Sequence, residues 1–217
     1  MQIRTLYKTR FSIPENISRD RLWKVLCKEF IQRYVSQTDT VLDLGAGYCN
    51  FINNISANKK IAVDLNPDTS LLANDDVIVY KGSCTRLPAS LTDSVDVVFA
   101  GCLLEHLPSK EEILKTFKEV KRVLRSGGKF IILNPNIRFS ISDFWDYFDH
   151  VTPVSDRSVV EGLQLAGFNI HEVIPRFVPN TIKDRLPKSA FLVKLYLHMP
   201  FLFPIFGKQM FIVAKKG

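Results

Sequence analysis

Two acids and two glycines stand at a spacing that suits a nucleoside-containing cofactor. Asp43 precedes Gly45, Ala46 and Gly47 in the run VLDLGAGYCN, and Asp64 follows Gly45 by 19 residues at the end of IAVD. Paired glycines let the chain turn tightly and bring bare backbone to a ligand. An acid at the end of the next strand is placed to accept hydrogen bonds from ribose hydroxyls. The dinucleotide pattern G-x-G-x-x-G asks for a third glycine where Asn50 stands. Asp43 would repel a pyrophosphate and attract an ammonium or a sulfonium. S-adenosylmethionine carries both cations and no phosphate, so the charge logic favours a methyl donor over a nicotinamide.

A second chemical segment lies further along. Asn134-Pro-Asn-Ile-Arg138 is followed by Ser142-Asp-Phe-Trp-Asp-Tyr-Phe-Asp-His150, in which Trp145, Tyr147 and two phenylalanines interleave with Asp143, Asp146 and Asp149. Aromatic faces stack on the C–H faces of sugars and carboxylates accept from hydroxyls, a combination that suits a polyhydroxylated acceptor. His150 reads either as a general base or as a histidine that orders the loop, with Asp149 and Asp146 as alternative bases. Trp145 and Tyr147 read as pocket wall or as core. His106, in Leu103-Leu-Glu-His-Leu107, reads as a structural residue first, and otherwise as an acceptor-side or catalytic one. The cysteines Cys27, Cys49, Cys84 and Cys102 have no metal-ligand spacing, so no metal is expected, and reduced thiols suit a cytoplasmic protein.

Elements must hold these groups together. Short apolar runs at 41–44, 61–65, 77–80, 95–100 and 130–133 predict five buried strands, with further strands near 169–175 and 210–215. Helices are expected from Ser18 to about Val35 and at 50–57, 67–73, 85–91, 110–125 and 156–166. In the clearest one, Ser109 and Glu112 make a capping box, Ile113, Phe117, Val120 and Leu124 make the stripe, and Gly127 ends it. Alternating strands and helices predict a parallel sheet covered on both faces, with ligands at the carboxyl ends of its strands.

The 217 residues are 46% hydrophobic, which excludes a disordered chain and suits one domain with a real core. Net charge is +7, and its distribution is uneven. Residues 1–175 carry 21 basic and 21 acidic side chains, whereas 176–217 carry eight basic ones against Asp184 alone. An acidic partner should therefore meet that end. The apolar stretch 191–206 is broken by Lys194, His198, Pro200 and Pro204, too short and interrupted to span a bilayer. It reads either as core that roofs the acceptor pocket and packs under the last strand or, with the neighbouring Lys and Arg, as a peripheral contact at the inner face of a membrane.

These runs resemble the class I S-adenosylmethionine-dependent methyltransferases. VLDLGAGYCNF is similar to their first motif, and IAVDLNP to the acid-ended second strand. GSCTRLPASLTDSVDVVFAGCLLEHL resembles the third to fourth strands, and FKEVKRVLRSGGKFIILNPN the segment ending in the fifth. The resemblance implies a Rossmann-like α/β fold, a seven-stranded sheet of order 3-2-1-4-5-7-6 with an antiparallel last strand. By position it implies Gly45, Ala46 and Gly47 at the methionine end of S-adenosylmethionine, and Asp64 with Leu65 at the ribose. It also implies Ser83 or Cys84 beside adenine, and Ala100, Gly101, Cys102 and Leu103 under the methionine and ribose. Cys49 stands where a third glycine is common, and Ser83 where an acid is common. The segment from Asn134 through Phe168 is similar to methyltransferases of surface-polysaccharide biosynthesis. The expected organisation is one domain, 1–217, with an N-terminal helical cap (1–36) and a basic-apolar insert (176–209). The expected activity is O-methylation of a saccharide or other small hydroxylated acceptor, with His150 as base and Trp145, Tyr147, His106 and Asn134 toward the acceptor. A nucleic-acid methyltransferase and a non-catalytic cofactor-binding protein are the alternatives, and nucleic acid is the less expected partner.

Overall fold

The computed structural model describes residues 13–179 and 189–217, with the side chains of the first helix described from Ser18 onward. The first twelve residues of the expected cap, and Lys183, Arg185 and Lys188 of the insert, lie outside the described residues. The strands are β1 (Thr40–Leu44), β2 (Lys59–Asp64), β3 (Val77–Lys81), β4 (Val95–Gly101), β5 (Leu124–Pro135), β6 (Phe168–Ile174) and β7 (Gln209–Lys216). They form one sheet in the order β3-β2-β1-β4-β5-β7-β6. β1 to β5 pair in parallel, and β7 runs antiparallel to both β5 and β6.

Register brings the chemical residues to one rim. Asp43 lies opposite Ala62 on β2 and Phe99 on β4, while Gly101 lies opposite Leu133 on β5. The central strands are buried on both faces, as their continuous Val, Ile and Leu runs require. One face packs Leu42, Val98, Phe117, Phe130 and Leu163; the other packs Phe30, Val41, Phe99, Phe177 and Phe211.

The helices are α1 (Ile13–Glu29), α2 (Thr69–Leu72), α3 (Lys110–Val123), α4 (Ile137–Phe144), α5 (Asp156–Leu165), α6 (Ala190–Leu197) and α7 (Phe203–Phe206). In α3 the Ser109 side chain accepts from the Glu112 N–H at 3.3 Å, acids open the helix and Lys121 and Arg122 close it, matching the helix dipole. Its stripe buries Ile113, Phe117 and Val120, and truncating the fully enclosed Phe117 to Ala costs about 3–5 kcal/mol. A reciprocal Ser155–Ser158 capping box opens α5, and Gly167, at φ +82°, follows its end.

Several boundaries differ from expectation. α1 begins at Ile13 and ends at Glu29, with a separate 3-10 turn at Ile31–Tyr34. Residues 50–57 form turns instead of a helix, because Asn53 and Asn54 use their amides on backbone carbonyls of Leu72 and Asn50. Only a 3-10 turn, Ala89–Leu91, forms in 85–91, and only the one-turn α2 in 67–73. Gly127 lies within β5, not after a helix. The strand begins at Leu124, opposite Val95, then makes a bulged excursion that Gly127 turns at φ +73°. No helix among the described residues is long and apolar enough to cross a membrane.

Candidate active site

β1 delivers Asp43 to the floor of a cleft, and the glycine turn follows at once. Gly45 sits at φ +72° and Gly47 at φ +52°. A Cβ on Gly45 would lie 2.8 Å from Leu103 Cδ1, so both conformation and space require glycine there. The turn's amides point back into the protein. Gly45 and Ala46 N–H donate to the Val63 carbonyl at 2.8 and 3.3 Å, and Gly47 N–H donates to Asp64 Oδ2 at 2.7 Å. Asn66 N–H donates to Asp64 Oδ1 at 2.6 Å, so Asp64 braces the turn as well as ending β2. Burial raises the Asp64 pKa, and these backbone donors oppose the rise. Asp43 is more extreme. Burial, then the nearby charge of Asp64, pushes its pKa up to about 8, against the Ile52 backbone. A carboxyl held this way gains from a cation placed beside it.

The opposite wall comes from the segments after β4 and β5. The Glu105 carbonyl accepts from Val151 and Thr152 N–H at 2.8 and 3.2 Å, and Thr152 Oγ1 donates to the Leu107 carbonyl. These bonds fasten residues 149–152 onto the turn that carries Glu105 and His106. His106 Nδ1 lies 3.1 Å from both the Asp149 carbonyl and Asp149 Oδ2. Both are acceptors, so in the neutral ring the proton sits on Nδ1 and Nε2 keeps its lone pair. Burial lowers the His106 pKa, but the Asp149 contact and the charges of Glu105 and Asp149 outweigh it, and the net shift is upward. His150 stacks on Tyr147 with ring centres 4.6 Å apart and meets the His106 ring edge-on at 5.0 Å. Ligand-capable atoms of Glu105, His106 and His150 lie within 4.8 Å of one another.

Of the residues expected at the site, the cleft gathers Asp43, Gly45, Ala46, Gly47, Gly101, Cys102, His106, Tyr147 and His150. Asp149 stands behind His106 as its partner. Asp146 and Trp145 point to solvent, and neither lines the cleft. Asn134 is fully buried and accepts from the Leu104 N–H at 3.1 Å, so it holds the chain rather than facing an acceptor. Ala100 is buried within β4, Leu65 is half-exposed, and Ser83 bonds to Thr85. Cys84 packs beside Thr116, so these four, like Asp64, lie off the main cleft.

Sequence reading missed the residues that close the cleft from above and behind. Arg19, Trp23 and Leu26 come from α1, Phe51 and Phe99 stack at 3.9 Å between it and β4, and Val178, Val193 and Gln209 come from the C-terminal segment. The Leu22 and Leu26 stripe of α1 was visible as an inward face, and Trp23 beside it was the available signal.

A family model described as a methyltransferase domain matches residues 42–132, the span from β1 into β5. An Aspergillus luteorubrus protein, ltbC, named as a probable methyltransferase, is 26% identical over 116 residues, 46% of this chain and 41% of that protein. The match thus spans under half of that relative's length. Among solved structures, a chain of the Haloferax volcanii complex between the Trm112 methyltransferase activator and a methyltransferase superposes with TM-score 0.68 at 20% identity, covering 91% of this chain and 90% of that one. A SAM-dependent methyltransferase from Archaeoglobus fulgidus gives TM-score 0.66 at 20% identity, covering 91% and 94%. These structural likenesses establish fold. Sheet order and the antiparallel β7 give this chain the fold of the class I methyltransferases, and the span 42–132 is similar to their methyltransferase domain. S-adenosylmethionine is the cofactor of that class, and the donor side of the cleft fits it. Asp43 offers a buried carboxyl to its cations, while the inward-turned amides of Gly45, Ala46 and Gly47 leave little for a pyrophosphate.

Proposed function

We propose that this protein, acting as one catalytic domain, methylates a hydroxyl of a small saccharide, with His106 receiving the hydroxyl proton and Asp149 orienting His106. The observation that carries the reading is the 3.1 Å contact between His106 Nδ1 and the Asp149 carboxylate on the acceptor wall. It fixes the ring so that Nε2 is the acceptor, the arrangement a general base needs. When bound, S-adenosylmethionine supplies an electrophilic methyl on a sulfonium leaving group. The chain's own task is then to align the acceptor oxygen, exclude water and take the proton. Asp43 anchors the cationic end of the donor. Tyr147 and His150 present ring faces to the acceptor's C–H surface. Asp64, seated at the end of β2, serves the ribose by exchanging one of its backbone donors for the sugar hydroxyls.

Carboxylates on the acceptor wall favour a neutral polyol over a polyphosphate. Glu105 is buried beside the histidines, and Asp149 is nearly so. A nucleic-acid strand would bring phosphates against both. The test is incubation with donor and a panel of free sugars, nucleotide sugars and RNA, followed by mass analysis. A single added methyl on a sugar oxygen supports the proposal. Methylated RNA with unmodified sugars refutes it.

A further inference from the structure

Two of the chain's four histidines, His106 and His150, meet beside a buried acid on the acceptor wall. Glu105 is 1% exposed, and its Oε1 lies 4.0 Å from His106 Nε2. All three residues line the cleft, so a further direction stays open to water or a small ligand.

His106 is held in the way a metal-bound histidine is held. Its Nδ1 faces the Asp149 carbonyl and carboxylate, both at 3.1 Å, which leaves Nε2 toward Glu105. Acceptors behind a ligating histidine fix its tautomer and raise the basicity of the ligating nitrogen. His150 is fixed from its other side, stacked on Tyr147 and tilted against the Phe144 ring at 4.9 Å. The Glu105 carbonyl, by accepting from Val151 and Thr152 N–H, ties the backbone after His150 to the turn that carries His106.

Two imidazole nitrogens and one carboxylate oxygen form the donor set of three-ligand zinc sites, which keep a fourth position for water. Zinc bonds of about 2.0–2.1 Å place tetrahedral ligand atoms about 3.3 Å apart. The ligand-capable atoms here lie within 4.8 Å, so side-chain rotations that move them by about an ångström complete the set. Charge also favours a cation. Among the described lining residues, the acids Asp43, Glu105 and Asp143 stand against Arg19. Magnesium and calcium ask for more oxygen ligands than this set holds.

We propose that Glu105, His106 and His150 bind a zinc-class divalent ion, with Asp149 supporting His106 from behind. The ion is a competitor and not a requirement for turnover. Its effect rests on the proton-transfer reading above, because a metal on His106 Nε2 takes the lone pair that receives the hydroxyl proton. Zinc should therefore inhibit methyl transfer, and metal-free protein should be active.

Cobalt titration of the tag-free full chain, followed by visible absorption, tests the site. It should give the visible bands of a four-coordinate ion and no cobalt–thiolate band, which separates this set from the cysteines. Zinc should displace the cobalt, and magnesium should not. His106→Gln and His150→Gln should each abolish the bands, and Asp149→Asn should weaken cobalt binding roughly 10–100-fold. Asp146→Asn, a solvent-facing change, should leave it as it is. Circular dichroism and S-adenosylmethionine affinity report whether each variant is folded. In the wild type alone, cobalt should shift the ring resonances of two of the four histidines. No visible bands, a thiolate band, or bands that survive both histidine variants overturn the site and leave His106 as the base. Zinc that binds at these residues yet leaves transfer unchanged supports the site and refutes the base assignment instead.

Discussion

On the donor side of the cleft, each polar group is held by atoms of the same strand-end turns. Gly45, Ala46 and Gly47 bond to Val63 and Asp64, and Asp43 lies two residues before the first glycine. On the proposed acceptor side, the pair we assign to proton transfer comes from places far apart in the chain. His106 meets Asp149, 43 residues later, because the Glu105 carbonyl pins Val151 and Thr152. The donor side has a carboxyl whose pKa burial raises; the acceptor side has an imidazole whose pKa its carboxylate neighbours raise. In the proposed reading one half is a strand-end motif that receives a cation, and the other is a tertiary assembly that receives a proton. Changes to the two halves should therefore separate binding from turnover.

The largest expected effect is on the acceptor side. His106→Gln should slow methyl transfer by roughly 10²–10⁴-fold while leaving donor affinity nearly unchanged. Asp149→Asn should cost roughly 10–100-fold and should lower the pH at which activity rises, since it removes the contact that raises the His106 pKa. In the wild type, activity should climb with pH through an ionisation above the ordinary imidazole value of 6.5, because only the neutral ring accepts a proton. A His150→Ala variant that loses more turnover than His106→Gln would reverse the assignment of the two rings. Chelator treatment should leave turnover intact. Its loss, restored by a divalent ion, would make Glu105, His106 and His150 a ligand set instead of a proton relay.

The donor side should respond in affinity. Asp43→Asn should weaken S-adenosylmethionine binding by about 1.5–3 kcal/mol, the worth of a hydrogen bond or ion contact to a charged group. Near neutral pH the wild type should release a proton on binding, because a cation draws ionisation from a carboxyl whose pKa is about 8. Calorimetry in buffers of different ionisation enthalpy reads this, and the variant should release none. The sign for stability is also fixed. A folded-state pKa raised from 3.8 to about 8 means that the unfolded chain ionises first, so the cofactor-free protein loses stability as pH rises across that window. Asp43→Asn should then raise the thermal midpoint above pH 8, and an unchanged midpoint would mean that Asp43 is already paired.

A smaller effect tests the turn itself. Gly45→Ala should destabilise the protein by about 1–3 kcal/mol, from positive φ and from the 2.8 Å approach of Leu103. Its thermal midpoint should fall, whereas Gly82→Ala, with nothing within 4 Å of the added carbon, should shift it little.

How much was legible in the sequence follows the same division. The strands, the glycine turn and Asp64 were readable because strands buried on both faces are continuous apolar runs and their ends carry the motif, whereas the strand order came with the family resemblance. The Ser155 cap and Gly167 end of α5 were readable for the same local reason. The pairing of His106 with Asp149 was not, since it depends on how residues 149–152 fold back onto Glu105. His150 and Asp146 drew attention by their place among aromatics, yet two of the side chains in that segment, Trp145 and Asp146, face solvent. The cap residues Arg19 and Trp23 were hidden because a helix stripe records which face is buried, not what it covers.

The account stands most directly on transfer of an isotopically labelled methyl from S-adenosylmethionine to oxygen, measured in parallel for wild type, Asp43→Asn and His106→Gln. It predicts labelled product from the wild type, restoration of the Asp43→Asn rate by excess donor, and no such restoration for His106→Gln. Donor binding without transfer to any hydroxylated acceptor, or a His106→Gln rate equal to wild type, would contradict it.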